Sequence, residues 1–135
     1  MSRPRKRNRT TALILAGLLL LALPALAGEK VLKGYIINNQ GQKIRVEKFL
    51  DTLKEYPCVY QDSDLQVPLQ DIKSLTLMDG GRVLVENRKG KKIVVFGEMG
   101  ISFDDMMPFL AKNPVSGKLE RREIDPLLLK KIVFD

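Results

Sequence analysis

The sequence predicts a mainly β fold, a small sandwich or barrel built from two tandem pseudo-repeats with at most one or two short helical segments. Three observations lead there. From residue 28 onward the chain has ten Val and eight Ile but a single Ala, Ala111, and β-branched side chains suit pleated sheets whereas alanine favours helices. Short apolar runs are punctuated by turn signals, Asn38-Asn39-Gln40-Gly41, Asp79-Gly80-Gly81, Arg88-Lys89-Gly90 and Asn113-Pro114. Finally, the chain repeats itself.

Strands are expected near residues 31–38, 43–49, 58–61, 72–78, 82–87, 91–97, 118–124 and 129–134. Lys43 to Val46 alternates polar and apolar residues, placing Ile44 and Val46 on the core face. By the same period Leu75 pairs with Leu77, and Ile132 with Phe134. Asp79-Gly80-Gly81 links two strands as a hairpin, because glycine accepts positive φ. Two stretches read as helical. Phe49, Leu50, Leu53 and Tyr56 have roughly helical spacing ahead of Pro57. Phe103, Met106, Met107 and Leu110 follow i, i+3, i+4, i+7, with Ser102 and Asp105 at capping-box spacing and Pro108 opposing a regular helix.

The repeat sets Ile36–Val46 against Val85–Val95. Both read aliphatic-x-Asn-x-x-Gly-x-Lys-Ile-x-Val, which aligns the turn residues Asn38 and Gly41 with Asn87 and Gly90. Ile72–Leu77 matches Leu129–Phe134 at a shift of 57 rather than 49, the second copy being eight residues longer in its middle, so the pseudo-repeats span about 31–78 and 82–134. Asn and Gly serve the backbone of a tight turn, and the shared Lys43 and Lys92 read as solvated strand residues.

The N-terminus reads as an address. The formal charge of the chain is +7, but residues 1–27 hold Arg3, Arg5, Lys6, Arg7 and Arg9 and no acid, leaving 18 basic and 16 acidic residues beyond them. An apolar run from Ala12 to Leu23 follows, then Pro24, then Ala25-Leu26-Ala27. This is the three-part pattern of a cleaved secretory signal, with Ala25 and Ala27 in the peptidase pocket and Gly28 opening the mature chain. The apolar stretch to Ala27 falls short of the ~20 residues of a spanning helix. Residues 28–135 are then a single β-rich domain, periplasmic or secreted, touching a membrane only through the signal before cleavage.

Composition excludes much chemistry. With no His there is no Ser-His-Asp triad, no Cys-His dyad and no His metal ligand, and one Cys gives neither an internal disulfide nor a Cys-rich zinc site. No catalytic, cofactor-binding or metal-binding residue is assigned. Cys58, in Cys58-Val59-Tyr60, reads as a small apolar strand residue, against the alternatives of an intermolecular bridge and a reactive thiol. Asp62-Ser63-Asp64 lacks the remaining ligands of a cation loop and reads as a polar turn. The basic clusters Arg88-Lys89-Lys91-Lys92, Lys118-Arg121-Arg122 and Lys130-Lys131 are interleaved with Glu, which favours solvated charge over an anionic partner and argues against nucleic acid. The expectation is a non-enzymatic binding or accessory module of the cell envelope, partnered by a protein or envelope component. The alternatives are a carrier of a small apolar ligand, using Phe103, Met106, Met107, Phe109 and Leu110, and a small carboxylate-dependent enzyme using Asp104 and Asp105.

Overall fold

The computed structural model describes residues 31–135, and the signal positions Ala25, Ala27 and Gly28 lie outside the described residues. The chain is mainly β, in two sheets, with no α-helix among the described residues. The strands are β1 (Gly34–Asn38), β2 (Lys43–Val46), β3 (Lys48–Phe49), β4 (Glu55–Tyr60), β5 (Ser63–Pro68), β6 (Ile72–Leu77), β7 (Arg82–Asn87), β8 (Lys92–Phe96), β9 (Met107–Lys112), β10 (Leu119–Ile124) and β11 (Leu129–Phe134). An eight-stranded sheet runs β2-β1-β11-β6-β7-β8-β4-β5 and a three-stranded one β10-β9-β3. Every pairing is antiparallel. Neither sheet closes on itself, so the barrel alternative is not observed.

Residues of both sheets share one core. Alternation brings Ile36, Val46, Val83, Val85, Leu75 and Ile132 inward from the large sheet to meet Phe49, Met107, Phe109 and Ala111 from the small one. Phe49 stacks edge-on to Phe134 at 5.4 Å between centroids. Ile44, half-buried, packs against this cluster, and Leu77, on the same strand as fully buried Leu75, is partly exposed at its end. The passage from one sheet to the other is made just after β2, where the Glu47 N–H donates to the Leu110 carbonyl at 2.8 Å. Glycine is required at Gly34, where a Cβ would stand 1.9 Å from the Val133 carbonyl oxygen. Arg45 on β2 grips Asp135 with two hydrogen bonds of 2.8 and 2.7 Å, and this bond holds the carboxyl below its ordinary pKa.

Neither stretch with helical spacing is helical. The first holds β3, an irregular segment and the start of β4, and the second holds a loop and β9. In β9 a period of two overrides the apparent period of 3.6. Met107, Phe109 and Ala111 are buried on one face, and Pro108, which could not serve a helix interior, is buried too. β5 was not expected as a strand. Its hairpin with β4 turns through Gln61 and Asp62, both at positive φ, as a two-residue turn of this hand requires.

The Asn-Gly turns adopt one geometry. At β1–β2 the Asn38 side-chain oxygen accepts from the N–H groups of Gln40 and Gln42, and Gly41 has φ +84°. At β7–β8 the Asn87 oxygen accepts from Lys89 and Lys91, and Gly90 has φ +86°.

Candidate functional site

The candidate site arises where the large sheet splits. β4 and β8 pair only at Val59 and Phe96. Beyond that point the chain leaves the ladder, and the Gly97 N–H turns to the Gly81 carbonyl at 3.3 Å. The gap between β4 and residues 97–105 is an open groove of about 680 Å³. Its far wall is a loop held in place by a bridge between Thr52 and Ser102 and by the Phe103 N–H donating to the Asp51 carbonyl at 3.0 Å.

Tyr56 spans the floor. Its hydroxyl donates to the Glu98 carbonyl at 2.7 Å, and the absence of a side chain at Gly97 leaves room for it, since a Cβ there would lie 2.6 Å from the phenol oxygen. Burial, reinforced by Cys58 and Glu98, pushes the Tyr56 phenol well above its ordinary pKa. Cys58 lies beside it, buried, with its thiol donating to the Leu65 carbonyl at 3.6 Å. Burial raises this thiol as well, which keeps it protonated and a poor nucleophile.

The walls combine aromatic surface with negative charge. Phe96 and Phe103 line the groove and are 56% and 76% exposed. Pro57 and Pro126 add apolar surface. Asp64, Glu98, Asp104 and Asp105 supply four carboxylates, and among the described residues no Lys or Arg lines the groove. A second, smaller concavity of about 370 Å³ lies between β2 and the β9–β10 hairpin and has the opposite sign, with Lys43, Arg45, Lys112 and Arg122 against Glu47 alone.

Residues proposed from sequence are distributed unevenly. Asp104 and Asp105 do line the groove, on its exposed loop. Of the apolar set, only Phe103 does. Met107 and Phe109 belong to the core, so the five line no common cavity. Asp62 sits in the β4–β5 turn and Asp64 reaches the groove. Asn38, Gly41, Asn87 and Gly90 form their turns away from it. Lys43 is exposed, its ammonium 4.0 Å from the Tyr35 ring centroid. Lys92 is exposed, and Arg121 and Arg122 pair with Glu123 and Glu120 on their own strand. Phe96, Tyr56 and Gly97 were not distinguished by sequence. The available signal was Ile93-Val94-Val95-Phe96, an apolar run on a strand whose outer face, Val94 and Phe96, is left uncovered.

Among the described residues no group of carboxylate or thiol side chains is placed to hold a metal ion, and no helix is long and apolar enough to cross a membrane. Set against family models, curated proteins and solved structures, the chain matches none of them.

Proposed function

We propose that this protein is an exported, non-enzymatic β-domain, periplasmic or secreted after removal of residues 1–27, which works as a binding or accessory module of the cell envelope. Its binding surface is the groove between β4 and residues 97–105. The observation that carries the reading is the pair of exposed aromatic rings, Phe96 and Phe103, over a groove whose charged lining is entirely acidic. Exposed aromatics on a polar-rimmed concavity mark protein-binding surfaces, and four carboxylates favour a cationic occupant. The fitting ligand is a protein segment with aliphatic and Lys or Arg side chains. A non-enzymatic role is supported by the buried, protonated state of Cys58 and by the placement of Asp104 and Asp105 on an exposed loop without a recessed partner.

The test is selection from a random peptide library on the immobilised protein. Enriched peptides are expected to combine aliphatic and basic residues and to bind at least tenfold more weakly to Phe96→Asp and to Phe103→Asp. Enrichment indifferent to both changes would overturn the reading.

The two sheets are read as a sandwich and the domain as two interlocked pseudo-repeats. Support comes from element order. β1, β2 and β6 match β7, β8 and β11 in sequence, the β4–β5 and β9–β10 hairpins stand between them in the same place in each order, β3 has no counterpart strand in the second half, and the 3-10 turns Leu69–Asp71 and Pro126–Leu128 stand before the last strand of each set. Leu75 and Ile132, equivalent by the repeat, are register partners in the β6–β11 ladder. Outward from that pair the order is β11, β1, β2 on one side and β6, β7, β8 on the other, so each half lends its first hairpin to the closing strand of the other. On this reading Phe96 occupies the position of Glu47, and the second half is lengthened in the groove loop and in the β9–β10 turn. The binding surface thus sits where the halves have diverged.

A further inference from the structure

We infer that the groove of one molecule receives the β9–β10 hairpin tip of a second copy, so that the protein associates head to tail; this rests on the groove being a binding surface. The tip, residues 113–118, carries Val115 at 95% exposure, the most exposed of the large apolar side chains among the described residues. Lys112 and Lys118 flank it, both exposed, and the basic concavity with Lys43 and Arg122 lies at its base. Aliphatic surface framed by cations is what the acidic, aromatic groove fits: Val115 against Phe96 and Phe103, and the lysines against Asp64, Asp104 and Asp105. Charge complementarity of this kind steers encounter and fixes orientation.

The tip is also preorganised. The Asn113 side-chain oxygen accepts from the Val115 and Ser116 N–H groups at 2.8 and 3.1 Å, and the Gly117 N–H donates to the Asn113 carbonyl at 2.8 Å. Little conformational freedom is lost on docking a fixed turn. It does not reach the groove of its own molecule. Asp105 and Pro126, which line the groove, stand at the base of the β9–β10 hairpin, while the tip lies a six-residue strand away, about 20 Å at the usual rise. Plug and socket are different surfaces, so the contact is heterologous and propagates into chains of molecules unless its rotation closes a ring.

Sedimentation velocity on protein recovered from expression of the full chain tests this, at about 20 mM and about 500 mM salt, where screening differs strongly. Concentration-dependent species beyond the dimer are expected at low salt, with association at least tenfold weaker at high salt. A tip variant, Val115→Ser with Lys118→Ser, and a groove variant, Asp104→Lys with Asp105→Lys, are each expected to be monomeric alone. Mixed in equal amounts they retain one intact groove and one intact tip, so a one-to-one dimer and nothing larger is expected; a misfolded variant would not complement. A monomer under all conditions overturns the inference, as does association that survives both variants or a mixture that stays monomeric. Peptide binding lost on Phe96→Asp while the native protein remains monomeric would overturn head-to-tail docking alone and leave the binding groove standing.

Discussion

A methyl group at position 97 would fall 2.6 Å from the Tyr56 hydroxyl oxygen and 3.4 Å from Cys58 Cβ. The groove floor is therefore a matched pair, a large side chain with a polar tip and a residue without one. Tyr56→Phe leaves the Glu98 carbonyl without this donor and is expected to cost about 1 kcal/mol. Gly97→Ala is expected to cost about 1–3 kcal/mol by crowding the ring. Because they share one contact, the double variant is expected to be less destabilised than the sum; additive losses in chemical denaturation would refute the coupling. The pH dependence has a fixed sign. Burial raises the folded-state phenol above its ordinary pKa of about 10, so the unfolded chain surrenders this proton first. The stability the phenol contributes is present below about pH 10 and declines above it, and Tyr56→Phe removes that part of the alkaline decline. Sequence identified Cys58 as an apolar strand residue, and it is buried. It did not single out Tyr56, because its place in the site depends on the carbonyl of residue 98, brought opposite by tertiary pairing.

The most legible elements were those with local causes. The two Asn-Gly turns carry their own hydrogen bonds, through Asn38 to Gln42 and Asn87 to Lys91, and glycines at positive φ close both. Asn38→Ala and Asn87→Ala are each expected to lower stability by about 1 kcal/mol, since each removes two hydrogen bonds to backbone N–H groups in an exposed turn. Equilibrium unfolding midpoints check this, and unchanged midpoints in both would mean the strands alone set the turns. β9 was misread for a reason of the opposite kind. Met106, Met107 and Leu110 satisfy a helical period, but the pairing of Phe109 with Phe49 and of Leu110 with Lys48 lies some sixty residues back in sequence and is invisible to a local window. β5 escaped notice because Ser63-Asp64-Leu65-Gln66 resembles a loop, and its fully paired register with β4 makes it a strand.

For the molecule as a whole, sheet order governs. β1 is paired to β11 and β6 to β7, so the first and second halves of the described chain complete each other's hydrogen bonding and share one core. Unfolding is expected to be a single cooperative transition, coincident by far-UV circular dichroism and tyrosine fluorescence. Two separated transitions would mean that the halves fold independently. Composition reported the β class, since it sums over the chain. The order of strands was not legible, because nothing local tells β1 that its neighbour is nearly a hundred residues away.

That order bears on when the protein acquires its shape. β11 fills a central slot of the large sheet, between β1 and β6, and is the last of the described strands in sequence. A growing chain that has not reached residue 129 has the large sheet in two pieces, β2-β1 and β6-β7-β8-β4-β5, and no seam to join them. Completion of the large sheet is thereby deferred until residues 129–134 are available to fill that slot.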